Sequence, residues 1–180
     1  MQEKSDLNRV VLDALTSRIT KIFPDQIRSC VEKLSEDELW WRPNDESNSV
    51  GNLVLHLSGS MRHYVAHSIG GLDYQRNRPA EFSERGPVPK QELLATFDET
   101  MRLVKETLEN FDPARFLEPA SEPSYNPTLF NQIFNVSVHV AMHTGQIVFI
   151  TKMLEEGALD ELWIRTHQNI SRPQVDDERN

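Results

Sequence analysis

Two histidines four residues apart, His139 and His143, stand in the stretch SVHVAMHTGQIVFI (137–150), which is mostly apolar and has no acidic residue. Side chains at i and i+4 share a helix face, so two imidazoles at this spacing can reach one metal ion. The same spacing also suits hydrogen-bonded core or surface histidines, and a metal site needs a third ligand. His56, His63 and His67 fall on one stripe of a second helical segment, since steps of seven and four return to the same face. His63 and His67 form a rival i, i+4 pair near a helix end, beside Arg62 and Gly70, where a more exposed role is expected. His56 lies in the apolar centre NLVLHLSG, where an unpaired imidazole is costly, and is the better third ligand. His167 reads as a surface residue.

These rings must be positioned by helices. With His139 at zero and about 100° per residue, Leu129, Ile133, Val136, Val140 and Ile147 project to about 60–120°, and Met142 and Phe149 to about −60 to −80°. The histidines lie between these two apolar groups, with Gln132, Asn135 and Gln146 on the same strip. Ser137, Ala141, Thr144 and Lys152 are then expected on the solvent face, and the polar strip points inward. Unpartnered buried polar groups cost about 1–3 kcal/mol each, so the strip is expected to bind something.

Along the chain, apolar positions recur at three and four over residues 6–34, with Pro24 as a kink. LSEDELWWRP gives a short helical turn opened by Ser35, with Trp40 and Trp41 as packing residues. A second long helix starts at Asn48 or Ser49 and stops at Gly70. LDYQRNRPAEFSERGPVP reads as a long connection, and Leu94, Phe97, Met101, Val104, Leu108 and Phe111 form the seam of a third helix. After a proline-rich loop, Asn126 as N-cap and Pro127 open a fourth helix, which Gly157 ends. A short apolar patch at Leu162, Trp163 and Ile164 precedes a charged tail. Four long amphipathic segments without strands predict an all-α four-helix bundle in one domain over 1–180, with its core at about 7–155 and a C-terminal extension at 157–180.

A chain of 180 residues can bury one sizeable core, and 38% hydrophobic with 26% charged residues is ordinary for a globular protein. A net charge of −9 argues against nucleic acid as a partner. No apolar stretch is expected to reach the length of a membrane span, and MQEKSDLNRV has no secretory pattern. With a single cysteine, Cys30, read as a packing residue, the cytoplasm is the expected compartment.

Three stretches, ELWWRPNDESNSVGNLVLHLSG, GLDYQRNRPAEF and VHVAMHTGQIVFITKML, together with the four-helix pattern, resemble the DinB/YfiT-like superfamily of metalloenzymes. The resemblance spans most of residues 7–155 and implies a four-helix bundle with a long connection between helices 2 and 3. In such proteins one histidine of the second helix and two of the last hold a divalent ion, commonly zinc, nickel or manganese. The matching positions are His56, His139 and His143; His63 and His67 have no counterpart. Characterised relatives include transferases and an isomerase dependent on a low-molecular-weight thiol, so the resemblance implies a metal-dependent enzyme with a small-molecule substrate and such a thiol as cosubstrate, and a homodimer. Gln146, Asn135 and Asn52 are candidates to orient ligands, and Arg76 and Arg78, with Glu81 nearby, to hold an anionic substrate; against this stands a solvated connection. A hydrolase in which the ion activates water is an alternative, but no carboxylate lies on either histidine strip unless one reaches in from a loop. A non-catalytic metal-binding or interaction protein is the third reading. No residue is assigned as general acid or base.

Overall fold

The computed structural model describes residues 2–86, 88–122 and 125–156. The expected C-terminal extension, with Gly157, Leu162, Trp163, Ile164 and His167, lies outside the described residues.

The described chain is all-α. Its helices are α1 (Gln2–Ser17), α2 (Phe23–Lys33), α3 (Glu36–Leu39), α4 (Val50–Met61), α5 (Arg78–Ser83), α6 (Lys90–Glu109) and α7 (Leu129–Leu154). Among the described residues the only β pairing is a single bridge between Pro119 and Thr128.

Residues 6–34 are not one α-helix. A π-helical turn, Arg18–Ile22, joins α1 to α2, and Pro24 sits in the first turn of α2. Proline has no N–H to return to the carbonyl four residues back, and its ring crowds that carbonyl. The ladder widens there, so that Phe23 N–H reaches Arg18 O, five residues earlier. α3 is opened by Ser35 in a reciprocal capping box with Glu38.

Ser49 caps α4, also reciprocally, with Asn52. A second π-helical turn, Arg62–His67, continues it. The left-handed stop is Gly71 (φ 76°), not the expected Gly70. Leu72 N–H closes back to Ala66 O across it. Gly70 is a close-approach glycine, since a Cβ there would come within 2.6 Å of Thr107 Oγ1 and 2.7 Å of Ala66 O.

The expected long connection is not simply a loop. It contains α5, capped by Asn77, whose side chain accepts from Ala80 N–H, with Pro79 in its first turn. α7 begins at Leu129, two residues beyond the expected Pro127, with Thr128 as its cap. Asn126 is instead buried, and its side-chain Oδ1 accepts from Asn135 Nδ2 at 2.7 Å.

α4 packs against α6 and α7, and α2 packs against the same two helices. Leu57, Met61, Phe97, Val104, Ile133, Val140 and Ile147 are among the side chains closed from solvent at the centre, together with Ile27 and Cys30 of α2. Burial pushes the Cys30 thiol up, in keeping with a packing role.

The faces of α7 correct the sequence reading. Ser137, Thr144 and Thr151 are buried, whereas Phe134, Val138, Met142, Phe149 and Met153 are exposed. In the projection above, the buried residues span about 20–160° and the exposed apolar ones about −40 to −140°. Both groups flanking the histidines are apolar, and hydropathy alone cannot tell which meets the core. The buried hydroxyls of Thr144 and Thr151 are satisfied by the carbonyls of Val140 and Ile147, at 2.7 and 2.9 Å. By length and composition α7 is also apolar enough to cross a membrane, contrary to expectation. Its packing on α2 and α4 accounts for the buried third of that stretch, and Phe134, Val138, Met142, Phe149 and Met153 leave the rest of its apolar character exposed.

Candidate metal centre

The histidine strip lies at the border between the buried and exposed faces of α7, where α4 approaches. His139 and His143 are half-buried, and His56 arrives from α4 with 6% of its surface exposed. His139 Nε2 stands 2.9 Å from His56 Nε2 and 3.0 Å from His143 Nε2. Three nitrogens bound to one ion at about 2.05 Å stand about 2.9 Å apart at right angles and about 3.3 Å apart at tetrahedral angles. These two spacings suit ligands of a single ion, and the three ligand nitrogens all lie within 4.8 Å of one another.

The outer nitrogens determine what the inner ones offer. His56 Nδ1 lies 2.9 Å from Glu81 Oε2. A carboxylate only accepts, so Nδ1 carries the proton and Nε2 presents its lone pair. Arg76 Nη2 also comes within 3.2 Å of this nitrogen, but it has a shorter bond, 2.7 Å, to Glu81 Oε2. His143 Nδ1 lies 2.6 Å from Gln146 Oε1, which again accepts, leaving His143 Nε2 unprotonated. Two lone pairs therefore meet at His139 Nε2, whose other nitrogen is 3.4 Å from Ser60 Oγ. This donor set fits a cation.

Burial, followed by the neighbouring His143 and His56, lowers the His139 pKa to about 4. Burial also lowers that of His143, against the opposing effect of Gln146. Both rings are neutral at pH 7, the form that ligates.

Behind His56 is a buried carboxylate that sequence reasoning did not place on either strip. Glu81 comes from α5, with Oε1 accepting from Arg76 Nε and Oε2 from Arg76 Nη2, both at 2.7 Å. Burial opposes its charge, and Arg76 and His56 outweigh it, holding the carboxyl below its ordinary range. Gly59 makes the approach possible, because a Cβ there would overlap Glu81 Oε1. The sequence signals were Gly59 itself and the helix-opening Asn77-Arg78-Pro79, masked by the charges around them.

The other candidates divide. Gln146 orients His143. Asn52 hydrogen-bonds to no histidine; its Nδ2 donates to Glu81 O at 3.1 Å and Glu84 O at 2.9 Å, anchoring α5 to α4. Arg76 is bound to Glu81. Arg78, its guanidinium 5.1 Å from the centre of the Phe82 ring, and Asn135 line a cavity of about 300 Å³ that His56 and His139 also line. His63 bonds to Glu122 Oε1 at 2.9 Å and His67 to Leu72 O at 2.5 Å, so neither joins the cluster. Among the described residues, His56, His139 and His143 are the one group of three or more metal-ligating side chains brought together.

Comparison with curated proteins finds no match. A family model matches residues 7–168, a span that includes all three histidines and Glu81, and the chain belongs to the family described as "Protein of unknown function (DUF1572)".

Proposed function

We propose that this chain is a DinB-like, cytoplasmic metalloenzyme that holds one divalent ion on His56, His139 and His143 and uses a low-molecular-weight thiol as cosubstrate. The carrying observation is the approach of His56 Nε2 and His143 Nε2 to His139 Nε2, both with tautomers set by an accepting oxygen at Nδ1, beside a cavity of small-molecule size. The packing of α2 and α4 against both α6 and α7 supports a four-helix bundle, with α1 and α2 as one broken helix.

An ion on three neutral imidazoles keeps its charge and open positions, and lowers the pKa of a thiol or water placed there. Zinc, nickel and manganese all accept such a donor set. The chain's own part is positional: Glu81 fixes the His56 ring, Gln146 fixes His143, and Arg76 keeps Glu81 ionised. Transferase chemistry is favoured over hydrolysis because both Glu81 oxygens are engaged and sit behind His56, away from Nε2, so Glu81 is no free base for water. The exposed apolar face of α7 supports a second copy of the chain as partner.

The test pairs elemental analysis of untagged protein with the His143→Ala variant, then offers metal-loaded protein a panel of cellular thiols with an electrophile. Stoichiometric metal in the wild type, its loss in the variant and metal-dependent conjugation are expected. Wild-type affinity in His143→Ala would remove the metal site; metal binding without conjugation would leave a non-catalytic metal protein.

A further inference from the structure

We infer that the cavity beside the three histidines binds a small organic carboxylate that also carries hydroxyl or amine donors. The inference concerns the substrate of the proposed centre and rests on that reading only for which ligand atoms would face the histidines.

The first observation is Gln132. Its side chain is closed from solvent and lines the cavity, and Nε2 donates to Tyr64 O and to Ser68 Oγ. Oε1 has no partner among the described residues. A buried acceptor left unpaired is costly, and this oxygen is itself closed from solvent, so a ligand N–H or O–H pairs with it only on a small shift of the cavity wall.

The second is charge. Two arginines line the cavity, and they differ: Arg76 is neutralised by Glu81, whereas Arg78 has no carboxylate partner among the described residues. Arg78 rests against the Phe82 ring, which leaves its N–H edges for an anion.

The third is the remaining wall. Tyr64 and Tyr125 face one another with ring centres 6.0 Å apart. Burial raises the Tyr64 phenol, keeping it a donor at neutral pH. Asn126 and Asn135 add amides. A wall with both donors and acceptors selects a ligand with several polar atoms over a fatty acid.

The test titrates metal-free protein with D-gluconate, read by ligand-observed NMR and calorimetry, with D-glucose lacking the anion and pentanoate lacking the hydroxyls. Saturable gluconate binding is expected, about tenfold weaker for either comparator, and about tenfold weaker in Arg78→Ala. Arg78 is exposed and hydrogen-bonds to none of the three histidines, so the variant should fold and keep wild-type zinc affinity. Absence of saturable gluconate binding, equal affinity for pentanoate, or an unchanged affinity in Arg78→Ala would each overturn the inference. Protein that binds zinc but not gluconate refutes this inference alone. Protein that binds gluconate but not zinc refutes the metal reading alone.

Discussion

Replacing Glu81 by glutamine should weaken metal binding about 10- to 100-fold, the range for removing a carboxylate that orients a ligating histidine, or about 1.4–2.7 kcal/mol. The magnitude follows from three bonds. Glu81 accepts from Arg76 twice, at 2.7 Å each, and from His56 Nδ1 at 2.9 Å. A neutral amide has one oxygen and cannot keep all three. Whichever donor it retains, His56 loses an ionised acceptor, its ring orientation loosens and Nε2 becomes less basic. Glu81→Ala goes further, leaving Arg76, with 11% side-chain exposure, without its counter-charge, which should cost about 3–5 kcal/mol of stability. Competition against a chromophoric chelator gives the zinc affinity of wild type and Glu81→Gln, and thermal unfolding of the metal-free proteins separates lost affinity from lost fold. Zinc affinity in Glu81→Gln equal to wild type, with the fold intact, would refute the argument that the carboxylate tunes the centre through His56.

Gly59→Ala should weaken metal binding in the same direction, because the added methyl takes the space of Glu81 Oε1; calorimetric zinc titration would show it, and an unchanged affinity would mean that Glu81 relocates at no cost. On acidification, His139, with its pKa lowered to about 4, should still be neutral at pH 5.5, where an ordinary imidazole is mostly protonated, so metal loss should extend below pH 5.5 toward pH 4, as followed by dialysis and elemental analysis. For metal-free protein the sign is set by the unfolded chain, which takes up protons below about pH 6.5 while folded His139 does not until about 4; stability should therefore fall as pH drops through that window, measured by urea unfolding. Met142→Glu, on the exposed apolar face of α7, should shift a dimer to monomer by light scattering with little change in melting temperature; a wild-type monomer would count against the second copy.

Much of the centre was legible because periodicity survives packing. His139, His143 and Gln146 fall on one strip at any plausible helix register, and His56 stood out as a polar residue in an apolar run. The placement of that strip was harder: Met142 and Phe149 are as apolar as Val140 and Ile147, and only the approach of α2 and α4 decides which pair is core. Thr144 looks like a solvent residue until Val140 O is counted as its hydrogen-bond partner, and Ser137 is buried beside it on the same face. Pro24 announced a break, but its form as a π-helical turn depends on how the ladder resumes after the missing donor. Glu81 was obscured for another reason. Its role arises from α5 folding back over Gly59, a tertiary contact that leaves no period in the sequence.

Arg78 and Glu81 ride on the same six-residue helix, one turn apart, while the three imidazoles belong to longer helices elsewhere in the chain. Substitution and length change therefore have opposite consequences in this segment. Exchanging Arg78 alters what the cavity accepts and leaves the carboxylate on His56. Inserting or deleting one residue between Asn77 and Glu81 turns the carboxylate by about 100° and away from the ring it holds. Sequence drift here can respecify the ligand, but the register from Asn77 to Glu81 must stay fixed for the centre to keep its grip.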